Sequence, residues 1–204
     1  MPDGAHLTAF LAAAVVLAVT PGPGIFYVLA RSLGEGTRVG VRSSLGTALG
    51  GLCHMAGAAL GLSALLMTSA TAFEVVRLAG AAYLIFLGIR MLIGRAEHND
   101  PDRGGNAFRQ GVLTELLNPK TALFFLTFLP QFVQPDRGPV APQLLALGAI
   151  SVTLNSSADL LVAAVAGRAR GAFTVGSRWI RRQRMLSGVG LIALGGYAAL
   201  ADNR

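Results

Sequence analysis

Long apolar runs with very few charged residues decide what this chain can fold into. The first run extends from Leu7 to Ala30 and the second lies within Ser43 to Phe73. Four further runs cover about 78–94, 111–133, 143–166 and 185–201. Each is close to the ~20 residues that a helix needs to cross the hydrocarbon core of a bilayer. Because backbone groups in lipid must be paired within the chain, the runs predict an all-α membrane protein with six transmembrane helices.

The composition excludes several other classes of protein. Hydrophobic types make up 53% of the 204 residues and charged types 13%, whereas a soluble domain carries about a quarter charged residues. The single Cys53 has no partner for an internal disulfide, so a disulfide scaffold is excluded along with a disordered chain. Only Asp3 precedes the first run as a charged residue, so we do not expect a cleaved signal peptide.

The basic residues between the runs predict an orientation. Thirteen arginines follow the first, third and fifth runs, whereas only Arg77, Arg137 and Arg204 fall on the other side. Because Lys and Arg accumulate on the cytoplasmic side, both termini are predicted to face outward. The net charge of +7 does not form a dense basic arm, so nucleic acid is not an expected partner. Residues 167–184 interleave arginines with apolar residues, which predicts an interfacial helix on anionic membrane lipid.

Two runs are interrupted by prolines. Thr20-Pro21-Gly22-Pro23 lies in the middle of the first run, and Asn118-Pro119-Lys120 lies in the fourth. Thr and Asn are good helix N-caps and proline suits the first helical position, so Thr20 and Asn118 are predicted to cap new half-helices. A simple proline kink is the alternative interpretation of each site.

The positions of the two breaks predict an internal repeat. The first and fourth helices are three spans apart, so two three-helix halves would lie in the membrane in opposite directions. We predict one integral membrane domain over 1–204, with repeat one at about 7–94, a cytoplasmic linker at about 95–107 and repeat two at about 108–201. Matching breaks in inverted halves point to a transporter's binding site near the bilayer midplane, where half-helix N-termini favour a carboxylate.

Three charged residues inside the runs are the second indication of a site. Lys120 lies midway along the fourth run, with Glu115 nearer the cytoplasm and Asp159 in the fifth run. Inserting a charged side chain at the bilayer centre costs about 2.5–3.5 kcal/mol of free energy on insertion scales. We therefore expect each of these three residues to have a partner or a function. Lys120 is a candidate for holding a substrate carboxylate or for pairing with an acid. Asp159 is a candidate proton carrier, and the alternative is that it extends to the membrane surface.

Other polar and small residues in the runs have structural explanations as well as functional ones. His54 is a candidate proton relay or a hydrogen-bonded packing residue. Close helix packing explains the glycine pairs Gly46–Gly50 and Gly57–Gly61, which also offer faces for a homodimer. The polar residues of the fifth run line a water-filled path or bond between helices; they are Ser151, Thr153, Asn155, Ser156 and Ser157.

Sequence patterns of the common enzymes are absent from the chain. There is no H-E-x-x-H, P-loop, paired-cysteine or G-x-S-x-G pattern. We therefore expect neither an enzyme nor a bound cofactor or metal, and any pumping would draw on an ion gradient.

Three segments resemble a known family. They are TPGP at 20–23, GAAYLIFLGIR at 80–90 and LLNPKTALFFLTFLPQF at 116–132. In these the chain is similar to the lysine exporter / homoserine–threonine exporter (LysE/RhtB) family of bacterial amino-acid efflux proteins. The resemblance implies a six-span inner-membrane exporter of amino acids or close derivatives, driven by proton antiport. The family's hallmark segments fall on Pro21, Gly22 and Pro23, and on Asn118, Pro119 and Lys120.

The leading functional hypothesis is thus a secondary exporter of small zwitterionic solutes. Its candidate substrate-binding residues are Thr20, Pro21, Gly22, Pro23, Asn118, Pro119 and Lys120. Glu115 and Asp159 are the candidates for binding the ammonium group or the exchanged proton. The alternative is a structural or regulatory membrane subunit that transports nothing, which would leave the buried Lys120 and the paired breaks without a role.

Overall fold

All regular structure in the described part of the chain is helical. The computed structural model describes residues 2–20, 22–62, 70–93 and 105–169, and near the C-terminus residues 185, 188–193, 195–196 and 199–200. Pro21, most of the 95–107 linker and most of the 167–184 segment lie outside the described residues, as does much of the predicted sixth span. The all-α class predicted from the apolar runs is confirmed for the described part.

The first predicted span is two helices. Helix α1 comprises Gly4–Val19 and helix α2 comprises Pro23–Glu35, and their axes differ by 43°. The break differs in detail from the prediction, because Gly22 caps α2 and Pro23 takes its first position. Thr20 instead ends α1, where its hydroxyl donates to the Val16 carbonyl at 2.6 Å. The expectation that Thr20 is an N-cap was wrong, since the second proline of the motif suits the first helical position and leaves Thr20 to the preceding helix.

The fourth predicted span is also broken, at the predicted residue. Helix α5 comprises Ala107–Leu116 and helix α6 comprises Pro119–Leu123, which continues as a π-helical turn over Phe124–Phe128 and a 3-10 turn over Leu129–Phe132. The axes of the two parts differ by 46°. Asn118 caps α6, as predicted, by accepting a hydrogen bond from the backbone N–H of Lys120 at 3.1 Å.

The remaining helices are continuous where they are described. Helix α3 comprises Thr37–Gly57, with a π-helical turn over Ala58–Leu62, and helix α4 comprises Ala70–Ile93. A short 3-10 turn at Pro135–Arg137 precedes helix α7, Val140–Arg168. Among the described residues, α7 alone is long and apolar enough to cross a membrane, and each bent pair passes the same test when taken as one span.

The two broken spans run antiparallel along their full length. At one end the backbone N–H of Asp3 donates to Gln134 Oε1 at 2.7 Å. At the other end the Tyr27 hydroxyl donates to the Ala107 carbonyl at 2.8 Å, and Arg31 donates to the Gly105 carbonyl at 2.9 Å. The breaks therefore lie side by side in the middle of the bundle.

At the exposed end, the His6 N–H and the Gln134 amide hold the pKa of Asp3 well below its usual range.

Two further helix pairs are antiparallel and closely packed. In α3 and α7, Gly40 lies beside Ala163 and Gly51 lies beside Val152. In the third pair, α4 packs against the residues near the C-terminus through glycine contacts at both ends, which are Gly88 with Gly188 and Ala81 with Gly195. A Cβ on Gly88 would lie 2.6 Å from the Gly188 carbonyl oxygen, so only glycine permits this approach.

The two predicted glycine pairs on α3 have different surroundings. Gly46 packs on the Phe108 carbonyl and on Gly111 of α5, and a Cβ on Gly50 would lie 2.7 Å from the Glu115 Cβ. These contacts make α3 and α5 parallel neighbours. Gly57 and Gly61 have no atom of the described chain within 4 Å of an added Cβ, so the packing interpretation is confirmed for the first pair alone.

Candidate functional site

The breaks meet at a narrow cavity whose empty volume is about 460 Å³, part of it open to the outside. Three charged side chains line this space, from three different helices: Glu115 from α5, Lys120 from α6 and Asp159 from α7. All three are at least nine-tenths buried. Charged groups are almost never this buried in a folded chain unless they are paired or functional.

Lys120 is bonded to the end of a helix and not to an acid. Its Nζ donates to the Thr20 carbonyl at 2.8 Å and to the Leu17 carbonyl at 3.2 Å, at the end of α1 where a helix leaves carbonyls incompletely paired. The Leu17 carbonyl also accepts from the backbone N–H of Thr20 at 3.2 Å. No carboxylate of the described chain forms an ion pair with it. An ammonium group has three N–H donors, so one remains for the cavity. The alternative that Lys120 pairs with an acid is thus not found among the described residues, because the break in α1 places two carbonyls directly beside it.

Gly22 leaves space for this arrangement. A Cβ at Gly22 would lie 3.1 Å from Lys120 Cε and 3.3 Å from its Nζ. The lysine side chain therefore crosses the first break over a residue that has no side chain. Among the other predicted residues Thr20 contributes its carbonyl, whereas Pro23, Pro119 and Gly22 do not line the cavity.

Glu115 is held by groups on both sides of the second break. Asn118 Nδ2 donates to its Oε2 at 3.0 Å, and the Thr121 hydroxyl donates to its Oε1 at 2.5 Å. A Cβ on Gly24 would lie 2.5 Å from Oε2, so the carboxylate rests against the first turn of α2. The break turns the chain so that Glu115 and Lys120, which would point apart on a regular helix, line one cavity.

His54 supports the same break from outside the cavity. Its Nε2 lies 3.0 Å from the Glu115 carbonyl oxygen, and because a carbonyl only accepts, Nε2 is the donor. Its ring stacks on Phe125, with ring centroids 6.2 Å apart. These contacts favour the packing interpretation of His54 over the proton relay.

Asp159 is bonded across the interface between α3 and α7. The Thr47 hydroxyl lies 2.7 Å from its Oδ2. It points into the cavity and not toward the membrane surface, so the alternative of extension to the surface was wrong.

Thr47 and Gly24 line the cavity, although nothing in their sequence context distinguishes them from packing residues.

The polar residues of the fifth run divide between the cavity and the helix itself. Asn155 and Ser156 line the cavity. Thr153 and Ser157 are exposed and donate to carbonyls one turn back in α7, at 2.8 and 2.7 Å. Two of the five polar residues thus line the cavity, at one turn of α7.

The described residues contain no group of three or more side chains suited to holding a metal ion. Apart from its charged groups, the cavity wall is made of hydroxyls, amides and apolar residues that range from glycine and alanine to Phe125. Such a wall is suited to bind a small polar molecule with both a positive and a negative group.

Comparison with known proteins identifies the family. The model of the LysE type translocator family matches residues 15–202. An "Uncharacterized membrane protein" of Pseudomonas aeruginosa is 34% identical over 202 residues, covering 92% of this chain and 90% of that protein. A "Homoserine/homoserine lactone efflux protein" of Salmonella typhimurium is 32% identical over 152 residues, covering 72% of this chain and 73% of that protein.

The chain is also similar to an efflux protein for leucine. A "Leucine efflux protein" of Salmonella typhimurium is 32% identical over 130 residues, covering 61% of both chains. No solved structure matches. Since the family match includes both breaks and all three charged residues of the cavity, the chain belongs to the LysE type translocator family.

Proposed function

We propose that this translocator is a secondary exporter of amino acids or close derivatives across the bacterial inner membrane, coupled to proton antiport. The observation that carries the proposal is the pair of antiparallel broken spans that meet at a cavity lined by Lys120, Glu115 and Asp159. Similarity to efflux proteins for homoserine, homoserine lactone and leucine supports the export of amino acids. The family consists of transporters and not enzymes, in agreement with the absence of enzyme motifs.

The cavity offers partners for both ends of a zwitterion. The free N–H of Lys120, beside the capped end of α6, is positioned for the substrate carboxylate, where a positive group and a helix N-terminus act together. Asp159 and Glu115 supply negative charge for the ammonium group. Small residues on the wall, such as Ala18, Ala48 and Gly51, leave room for an uncharged substrate side chain.

The charges in the cavity support proton coupling. Two carboxylates and one ammonium group give a formal charge of −1 when all are ionised. A bound zwitterion leaves this charge unchanged, whereas a bound proton neutralises it. A net charge buried away from water is costly. Proton binding therefore favours the conformational change by which the substrate-free protein turns its cavity from one side of the membrane to the other. Exchange of amino acid for proton requires in addition that the substrate ammonium group and the proton compete for the same carboxylate, so that only one of them is bound at a time.

The antiparallel packing of the helix pairs supports two inverted three-helix repeats. Alternating access would then come from one repeat moving against the other around the cavity. The excess of arginine in the linkers after the first, third and fifth runs supports termini on the outer side.

A growth-inhibition screen tests the export function. Cells that overexpress the protein are challenged with toxic amino acids and analogues, beside cells that carry an empty vector or Lys120→Ala. Efflux of each rescued compound is then measured with radiolabel. The proposal expects resistance and efflux with the wild type alone, at matched amounts of protein in the membrane. Lack of any rescued compound, or equal efflux by Lys120→Ala, contradicts it and favours the non-transporting subunit.

A further inference from the structure

We propose that Asp159 is the residue that carries the exchanged proton, that the Thr47 hydroxyl positions it, and that Glu115 is a fixed structural acid. This inference rests on the proposed function, since it assigns the coupling step of that same site. It is carried by the different hydrogen bonds that the two buried carboxylates make.

Both carboxylate oxygens of Glu115 are engaged by side chains of its own span. Its Oε1 accepts from Thr121 and its Oε2 accepts from Asn118, and the same Asn118 caps α6 through its other side-chain atom. Gly24 closes the remaining side. Protonation at Oε2 would place a donor opposite the Asn118 amide, and protonation at Oε1 would leave the Thr121 hydrogen without a second acceptor among the described contacts. Either change breaks a bond that holds the second break. A group in this position is suited to stay ionised throughout the cycle.

Asp159 has only half of its carboxylate engaged. Its Oδ2 contacts Thr47, and no bond to its Oδ1 is found among the described residues. Since Asp159 lines the cavity, Oδ1 is available to a substrate ammonium group or to water. The charged groups that face it are Glu115 from α5 and Lys120 from α6. The cavity walls from α1 and α2 add none, and the Tyr27 hydroxyl donates away from it to the Ala107 carbonyl.

Thr47 is placed to respond to the protonation of Asp159. Its Oγ1 lies 2.7 Å from Asp159 Oδ2 and 2.9 Å from the Ser44 carbonyl oxygen. The hydroxyl has one hydrogen, and both neighbours only accept when Asp159 is ionised. Only one of the two contacts is then a hydrogen bond.

Protonation satisfies both contacts at once. When Oδ2 takes the proton, the acid donates to Thr47 Oγ1, and the Thr47 hydrogen turns to the Ser44 carbonyl. When the proton leaves, the Thr47 hydrogen turns back to the carboxylate as a charge-assisted bond. The α3–α7 interface thus has a satisfied arrangement for each state of Asp159, which is what a group that gains and loses a proton in every cycle requires.

The test uses the purified protein in liposomes with a pH-sensitive dye inside and radiolabelled homoserine or leucine as the amino acid. Proton and amino-acid movement are measured together, from pH 5 to 9, for wild type, Asp159→Asn and Glu115→Gln. We expect Asp159→Asn to lose coupled proton movement, and its residual amino-acid exchange to be independent of pH. Glu115→Gln is expected to transport more slowly at an unchanged ratio of protons to amino acid.

Different results overturn different claims. If the wild type moves no amino acid, the proposed export function fails. If the wild type moves amino acid with protons and Asp159→Asn keeps the same ratio and pH dependence, the assignment of the proton fails while export stands. Loss of coupling in Glu115→Gln together with its retention in Asp159→Asn reverses the two roles.

A second pair of variants serves if Asp159→Asn does not fold. Thr47→Ser keeps the hydroxyl and Thr47→Val removes it at nearly constant volume. We expect Thr47→Ser to keep the wild-type pH profile of transport. In Thr47→Val we expect the midpoint of the pH profile of transport to move to higher pH by about one unit. The reason is that the bond from Thr47 to ionised Asp159 is charge-assisted and stronger than the bond from protonated Asp159 to Thr47, so its loss disfavours the ionised form. Identical profiles for the valine and serine variants contradict the positioning role of Thr47.

Discussion

At the scale of single residues, the site depends on where side chains are missing as much as on where charges are present. Gly22 lets Lys120 reach the carbonyls at the end of α1, and Gly24 gives space to the Glu115 carboxylate. In each case the glycine belongs to one broken span and the charged side chain belongs to the other. The two spans are therefore matched to each other at the level of individual atoms.

Gly24→Ala should lower the rate of efflux by about tenfold or more, since the new methyl group displaces a carboxylate that fixes the geometry of the cavity. The control is Gly34→Ala in the same helix, where an added Cβ meets no described atom within 4 Å. That change should leave efflux intact and raise stability slightly, by about 0.5–1 kcal/mol, through helix propensity. Efflux of radiolabelled substrate from cells with equal expression compares the two, and equal rates would contradict the role of Gly24.

At the scale of helices, the bundle uses the ends of broken helices as parts of the site. The end of α1 accepts from Lys120, the end of α5 accepts from His54, and the start of α6 is capped by Asn118. Lys120 reaches across to the first broken span and His54 reaches across from α3, whereas Asn118 joins the two halves of its own span. A break that would be a defect in an isolated helix is here a point of attachment between elements.

Asn118→Ala should lower both stability and transport. Loss of the cap costs about 1 kcal/mol, and Glu115 Oε2 loses its donor in a buried position. Asn106→Ala is the matched control, because Asn106 caps α5 in the same way from an exposed position away from the cavity. Thermal unfolding in detergent should show a lower melting temperature in both variants, whereas efflux should fall in Asn118→Ala only. Equal efflux in the two variants would mean that the second break has no part in transport.

The helical class and the positions of both breaks could be predicted from the sequence, because proline and charge patterns act locally. The exact start of α2 could not, since Pro21 and Pro23 compete for the same role. The bonds of Lys120 to carbonyls could not be predicted either, because they depend on how two distant breaks align in space. Thr47 was missed for the same reason, as its partner Asp159 is 112 positions away.

At the scale of the whole molecule, the described helices form three antiparallel pairs, and the cavity lies between the two broken spans and the pair α3–α7. Glycine contacts bring α3 to α5, and α4 to the residues near the C-terminus, at backbone distance. Lipid supplies no hydrophobic driving force between helices, so such close packing is what holds a small bundle together. A bundle of paired, oppositely directed helices is also suited to open on either side of its centre.

The orientation can be tested by labelling single cysteines with a membrane-impermeant maleimide. Cys53→Ser provides the background, and single cysteines replace Asp136, in the 3-10 turn before α7, or Gly34, near the end of α2. With termini outside, Asp136→Cys should be labelled in intact cells and Gly34→Cys only after lysis. The reverse pattern would contradict the predicted orientation.

Amino-acid counterflow in proteoliposomes tests the central claim most directly. Vesicles loaded with unlabelled homoserine or leucine are diluted into the same labelled amino acid, with wild type, Lys120→Met or no protein. The account predicts accumulation of label by the wild type for at least one of the two amino acids, and none above protein-free vesicles for Lys120→Met. Equal accumulation by both proteins would show that transport does not pass through the cavity where the broken helices meet.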